Sequence, residues 1–457
     1  MTIRLLPAVV SLSLVTCVFT LATTTLAQDY KVGVARVDIT PDGPIWLTGY
    51  GNRNKPSEGV EQRLFAKALA IEDAAGAKSV LVTADLIGFP KELSDDVAAR
   101  IERATRVPRD RFMLVASHTH TGPVIHNSLG GMFDLKGPDL EAVRSYAKKL
   151  SDQLVTLAVD ATKKLEPANF EFAHGRATFA MNRRVFRPNG VQFGVNPEGL
   201  VDHDVPVLRV TAGDGRLLAA VFGYACHCTT LGGDYYRICG DWAGYAQEYL
   251  ELAHPGTTAM FVTGCGADSN PEPRTGIQFA RQHGLHMAGA VTEVITKPMR
   301  PITGPIRAAF SLAPLPFAEL PSRDDFEKKL NDRSPFVQRH ARRILDMMDR
   351  NELPPKNYPC PVQVWRFGND LTLVALGGEV VVDYALRLKR ELGSDKLWVV
   401  GYANDVFAYV PSVRILHEGG YEADFNMIYY GLPTRFAPAV EDTLVKSVHD
   451  AIRRAAE

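Results

Sequence analysis

Short apolar runs recur along the chain, and most end in a polar or glycine-containing turn. Val32 to Pro41 alternates apolar and polar positions like a half-buried strand and stops at a proline. Phe65–Glu72, Ser79–Asp85 and Arg111–Ala116 read as further strands, the last two continuously apolar and therefore buried on both faces. Between and after them, 92–105 and 140–165 carry the 3.6-residue period of amphipathic helices. Asn169–His174 is a strand, with Met181-Asn182-Arg183-Arg184 after it in a polar loop. Val205–Val210 and Leu217–Gly223 form a hairpin across Asp214-Gly215. A helix opens at Gly240-Asp241 with Asp241 as its N-cap, and Thr258–Val262 is a buried strand. Helix 278–296 follows, then a strand at 306–312 and a hairpin of 362–367 with 371–376 across Asn369-Asp370. Helix 381–392, a last strand at Trp398 and a terminal helix 438–456 complete the series. This pattern predicts an α/β fold with a mixed β-sheet core flanked by helices. The charged stretch 318–355, broken at Ser334-Pro335, is a small helical insertion, and 300–305 is a seam.

Composition adds little to that picture. The chain has 457 residues, 46% hydrophobic and 23% charged, which is ordinary globular content. A net charge of -1 supplies no bulk field for nucleic acid, and none is expected as a partner. The N-terminus changes the address. Arg4, an apolar run to Leu26 and the small residues before Gln28 read as a secretory signal peptide, residues 1–27, cleaved after Ala27. The mature domain, 28–457, is then periplasmic or extracellular. Export permits disulfides, and Cys228 with Cys239 could close a short loop, but buried reduced thiols fit the five mature cysteines equally well.

The candidate chemistry sits where strands end. Ser117-His118-Thr119-His120-Thr121-Gly122-Pro123 follows the strand at Phe112, and two imidazoles two apart on an extended segment share a side. His227 stands at another strand end, between Cys226 and Cys228, whose thiols would point away from it. Glu379 follows Gly377-Gly378 at a third strand end, where it serves either as a ligand or as an acid at the start of the next helix. Asp85 ends its strand either near the site or as the cap of helix 92–105. Tyr409 and Tyr421 lie in a glycine-containing aromatic loop, and Ile45–Gly51 forms a loop over the site. His118, His120, His227, Glu379 and Tyr409 suit one metal with an open position for water. The Gly264–Pro271 turn could present N–H groups to an oxyanion, with Ser269 nearby. His-Glu-x-x-His and Gly-x-Ser-x-Gly are both absent.

Taken in order, Val34–Pro41, Ser117–Pro123, Asn182-Arg183, His227 with Gly240-Asp241-Trp242-Ala243-Gly244-Tyr245, and Gly401-Tyr402-Ala403-Asn404-Asp405 resemble the neutral (non-lysosomal) ceramidase family. The likeness runs over nearly all of the mature chain. It implies zinc-dependent hydrolysis of an N-acyl amide in a lipid or small-molecule substrate, with room for peripheral membrane contact. It implies Zn2+ held by His118, His227, Glu379 and Tyr409, and His120 as the acid/base, with Arg183 and Tyr421 lining the site. The family's Gly-Asp-x-Ser-Pro-Asn turn is Gly266-Ala267-Asp268-Ser269-Asn270-Pro271 here. Metal-activated water is therefore the expected nucleophile, with Ser269 the lesser alternative. The chain stops at Glu457, without room for the C-terminal immunoglobulin-like domain of ceramidases. A metal-dependent esterase, lactonase or phosphoesterase, and a non-catalytic surface binding protein, are the competing expectations.

Overall fold

The computed structural model describes Thr2 and residues 30–456, apart from Leu353. The expected signal peptide, save Thr2, lies outside the described residues. Among these, no helix is long and apolar enough to cross a membrane.

A nine-stranded sheet dominates. Its path runs Thr258–Thr263, Leu217–Tyr224, Asp204–Ala212, Glu166–Arg176, Tyr30–Asp38, Phe65–Asp73, Lys78–Ala84, Phe112–Ala116, with Arg300–Ile302 paired to Glu166–Arg176. Only the two terminal pairs are parallel; the interior is antiparallel. Strand alternation divides the side chains between two cores. Val80, Val82, Phe112 and Leu114 pack under the helices Lys91–Thr105 and Gly137–Lys163. Leu81, Met113 and Val115 face the other way, against Trp365, Leu373 and Trp398 of a second, four-stranded sheet. That sheet is Ile306–Pro316, Asn357–Phe367, Leu371–Leu376 and Leu397–Val400. Its outer face carries Val382–Leu392 and Val440–Arg454. The layers are thus helix, sheet, sheet, helix. The residues at 300–305 carry the chain from the first sheet into the second, and Arg323–Lys329 and Pro335–Asp349 form the two-helix insertion.

The large sheet curls until its ends meet. Thr263 Oγ1 donates to Ala116 O at 2.8 Å, although their strands stand at opposite ends of the path. The stretch Gly401–Asn404 fills the join. Gly401 N donates to Thr263 O at 2.9 Å and Asn404 N to Leu114 O at 2.7 Å, and Val115 bridges Ala403. Strand ends far apart in sequence are thereby brought to one place.

The five cysteines among the described residues are free and buried, and burial pushes their thiols up from the usual range. Three local expectations change. Met181–Arg184 lies in a strand, Ala180–Arg187, because Gly190–Asn196 and Ser269–Pro271 supply ladder partners on either side. Asp241 is inside its helix at φ +55°, with Gly240 as the N-cap, and its carboxylate accepts from Leu231 N and Trp242 N. Asp85 neither caps helix Lys91–Thr105, whose N-cap is Pro90, nor reaches the histidines. It is held by Phe65 N and Gln247.

Asn404 tests the closure. It sits at φ +65°, its Oδ1 accepts from Leu114 N, and its Nδ2 donates to Gln363 Oε1 at 2.9 Å. Asn404→Ala removes both bonds and puts a residue with a Cβ and no local hydrogen bond in the left-handed region. It should cost roughly 2–4 kcal/mol in urea denaturation. An unchanged midpoint would show that the join does not carry the fold.

Candidate metal centre

The chain leaves the sheet at Ala116 and turns sharply. Ser117 N donates to Ala84 O and His118 N to Leu86 O, and His118 adopts φ +62°. The two imidazoles do converge, but through a left-handed turn rather than the extended segment the spacing suggested. Nothing local favours that conformation in a histidine, so the surroundings impose it. The second histidine loop lies alongside. Thr119 bridges Cys228, and His120 N donates to Cys228 O at 3.2 Å. Trp242 Nε1 holds His227 O at 2.9 Å. The ring of His118 is consequently 4.8 Å from that of His120 and 4.7 Å from that of His227, centre to centre.

Each ring is oriented by a main-chain carbonyl. His118 Nδ1 meets Ile87 O at 2.6 Å, His227 Nδ1 meets Gly266 O at 2.9 Å and His120 Nδ1 meets Gly49 O at 3.1 Å. A carbonyl can only accept, so each Nδ1 carries the proton and each Nε2 presents a lone pair. Those nitrogens face one another: His118 and His120 Nε2 are 3.1 Å apart. Into the same space comes Glu379. The two-residue strand Glu379–Val380 pairs in parallel with Tyr409–Val410, which sets Glu379 beside Tyr409. Glu379 Oε2 lies 3.1 Å from His118 Nε2 and 3.2 Å from His227 Nε2, yet no group among the described residues donates to it. Its other oxygen accepts from the Tyr430 hydroxyl. The Tyr409 hydroxyl is 3.2 Å from His227 Nε2 and accepts from Arg183 Nη2 at 3.0 Å.

Arg183 Nη1 stands 3.3 Å from His227 Nε2, but His118 Nε2, His120 Nε2 and Glu379 Oε2 crowd together with no donor between them, and acceptors so placed repel unless a cation sits among them. The fit is therefore good: imidazole nitrogens, a carboxylate oxygen and a phenol oxygen are donors of the kind zinc takes. His118, His120 and His227 form a buried group that could hold a metal ion, their ligand atoms all within 4.8 Å of one another. Glu379 and Tyr409 overlap that group from the other side. Burial, then the Arg183 charge, pushes the His227 imidazole down to about 4, so it is neutral and ready to bind a cation at ordinary pH.

Arg183 is placed by residues the sequence did not flag. Glu422 accepts from Arg183 Nε at 2.8 Å and from Arg184 Nη1 at 2.6 Å, all three side chains being buried. The Arg183 charge then lies over the Tyr409 and Tyr421 rings, at 5.5 and 5.9 Å. Tyr421 stands 5.2 Å from Tyr409 and lines the site with it. His120 is wedged by the Ile45–Gly51 loop. Tyr50 packs on its ring at 5.0 Å, and a methyl on Gly49 would come within 2.3 Å of its Nδ1. Arg53 donates to His120 O at 2.6 Å. Ser269 is buried in its short strand, with its carbonyl accepting from His227 N; its hydroxyl has no hydrogen-bond partner among the described residues. The Cys226 and Cys228 thiols turn away from the cluster, onto His227 O and Ser117 O.

Known proteins share this arrangement of motifs. The family model "Neutral/alkaline non-lysosomal ceramidase, N-terminal" matches residues 30–271, more than half of the chain. The chain belongs to this family. Neutral ceramidase A of Dictyostelium discoideum is 26% identical over 251 residues, 52% of this chain and 34% of that protein. The neutral ceramidase of Pseudomonas aeruginosa is 24% identical over 325 residues, 65% of this chain and 46% of that one. The chain thus spans between a third and a half of the length of these ceramidases. The crystal structure of the Pseudomonas aeruginosa neutral ceramidase has the same fold, with a TM-score of 0.71 at 19% identity, covering 93% of this chain and 74% of that one. A ceramidase structure described as complexed with C2 superposes similarly, at 18% identity and a TM-score of 0.70.

Glu422→Gln should destabilise the fold by roughly 3–5 kcal/mol, because two buried guanidinium groups lose their only shared anion. Burial raises the Glu422 carboxyl, but Arg183 and Arg184 more than offset this and leave it below its ordinary value. A depressed folded-state value means that the stabilisation is full above the unfolded carboxyl's pKa, about 4.3, and disappears as pH falls through the lower folded value. Urea denaturation at pH 7 and at pH 3 should show a wide gap between wild type and variant that narrows only on the acid side. A gap independent of pH would place the effect elsewhere.

Proposed function

We propose that this chain is an exported, zinc-dependent hydrolase of N-acyl amide bonds, with a lipid amide of the ceramide kind as its substrate class. Removal of residues 1–27 would leave 28–457 as the working enzyme. The observation that carries the reading is the crowding of imidazole lone pairs around Glu379 Oε2, an acceptor with no donor. Family membership supports amide hydrolysis as the reaction.

His118, His227, Glu379 and Tyr409 would hold the zinc. When bound, the ion supplies Lewis-acid polarisation of the acyl carbonyl and acidifies water. His120 is left for proton work, and its position supports that role. It is the most open of the three histidines, at 9% exposure against none for His118 and His227. Its Nδ1 proton stays on Gly49 O, so Nε2 is the atom that takes a proton from the attacking water. The same nitrogen then returns the proton to the amine nitrogen as the C–N bond breaks, giving a carboxylic acid and a free amine. Arg183 keeps the Tyr409 oxygen oriented and places positive charge beside the developing oxyanion, with Tyr421 enclosing the acyl carbon from the open side. Burial, with His118 and His227 beside it, holds the His120 imidazole well below its ordinary value, so it enters the cycle unprotonated. Water is favoured over Ser269 as nucleophile because no base is hydrogen-bonded to the Ser269 hydroxyl among the described residues.

His118→Ala and His227→Ala should each reduce bound zinc from about one per chain to near zero and abolish amide hydrolysis, with circular dichroism unchanged. Elemental analysis and a series of N-acyl amides, from acyl amino acids to ceramides, with matched esters, provide the measurement. Full activity in a metal-free variant, or cleavage of the esters alone, would refute the assignment.

A further inference from the structure

Leu252 and Leu285, each on its own helix, are the large apolar side chains most open to solvent among the described residues, but the next most open are gathered in one place. Phe186, Phe193, Val195 and Leu200 are 60%, 59%, 52% and 46% exposed, and all belong to the hairpin of Ala180–Arg187 with Gly190–Asn196 or its exit. Register places Phe186 opposite Val191 and Arg184 opposite Phe193. Directly opposed residues share a face, as do residues two apart, so Phe186, Val191 and Phe193 stand together, and Val195, past a register shift, is exposed at the end of the same strand. Part of that face is covered. Arg184 donates to Glu418, Gly419 O and Glu422, and a methyl on Gly420 would meet Val191 at 3.0 Å. The remainder is bare, and it is a free edge, since Gly190–Asn196 is the outermost strand of its small sheet.

The bare face runs into the candidate metal centre. Phe193 lies at the boundary, its ring 5.0 Å from the Tyr421 ring and 5.0 Å from the Arg183 guanidinium. Tyr421 is in turn 5.2 Å from Tyr409. An unbroken aromatic path therefore joins the hairpin to the donors. The exposed ionisable groups of the hairpin and its exit are Arg187 and Glu198, one of each sign. Such a surface offers an ionic partner nothing to prefer, and it offers a neutral apolar phase a great deal.

We infer that the hairpin docks on a lipid surface, seating Phe186 and Val195 among the acyl chains so that a long-chain amide leaves the surface past Phe193 and Tyr421. This rests on the reading of the site as a lipid amidase. A water-soluble protein must otherwise draw each long chain through water, at a cost of about 0.8 kcal/mol per methylene. Contact at the mouth of the site removes that step.

Co-sedimentation of the full chain with phosphatidylcholine vesicles tests the docking without requiring catalysis. The wild type should bind, at 50 mM and 500 mM salt alike. The double variant Phe186→Ser, Val195→Ser should partition about tenfold less or weaker still, while cleaving a short-chain, water-soluble N-acyl amide at the wild-type rate. Three results would each overturn the inference: no wild-type binding, equal binding by the variant, or binding confined to anionic vesicles and lost in high salt. So would a concentration-dependent dimer in size-exclusion chromatography that the double variant abolishes, since the face would then belong to a second copy. A protein that binds the vesicles but cleaves no amide would instead defeat the catalytic reading and leave the docking intact.

Discussion

Everything at the centre depends on a sheet whose two ends are made to meet. The histidine turns follow strands that lie far apart along the sheet path, one at its end and one next to the other end. In a flat sheet they would be separated by the intervening strands at nearly 5 Å each. The main chain of Gly401–Asn404, bonded to Thr263 on one side and to Leu114 and Ala116 on the other, turns that separation into contact. The same stretch directly continues the last strand of the second sheet, which packs Trp365 and Trp398 against the first. Packing of the two sheets and assembly of the donors are thus one event.

Charge in the interior is managed by two different means. Arg183 and Arg184 are neutralised by Glu422 together with Glu418, which also pairs with Arg184, and the Coulombic gain offsets the loss of water only because both Glu422 oxygens are used. Glu379 is treated otherwise. One oxygen is satisfied by Tyr430 and the other is left facing lone pairs. Other buried groups among the described residues also lack partners, mostly hydroxyls and guanidinium nitrogens, but Glu379 Oε2 is the one carboxylate oxygen among them, and an anionic atom set among lone pairs is what a cation would complete.

Much of this was readable in the chain itself. Strand ends with histidine or glutamate pointed to residues that the structure gathers in one place, and the order of five motifs pointed to the family whose model matches. What could not be read was geometry imposed from a distance. The His118 turn is left-handed because Ala84 and Leu86 carbonyls hold its amides, and no local signal marks it. Met181–Arg184 looked like a loop because Asn and Arg carry weak strand preference, and its ladder partners come from elsewhere in the sequence. Glu422, after two glycines and a tyrosine, had the look of a solvated acid, since the arginines that bury it lie well over two hundred residues earlier. Asp85 shows the reverse: a carboxylate at a strand end that ties the neighbouring strand at Phe65 to Gln247 of a distant helix and takes no part in the donor cluster.

The thiols carry a consequence for handling and evolution. Cys226, Cys228, Cys239, Cys265 and Cys360 are all enclosed, and their enclosure keeps them protonated. A protonated, inaccessible sulfur neither attacks nor is attacked. Among the described residues the folded state therefore rests on no bond that a reducing surrounding would break.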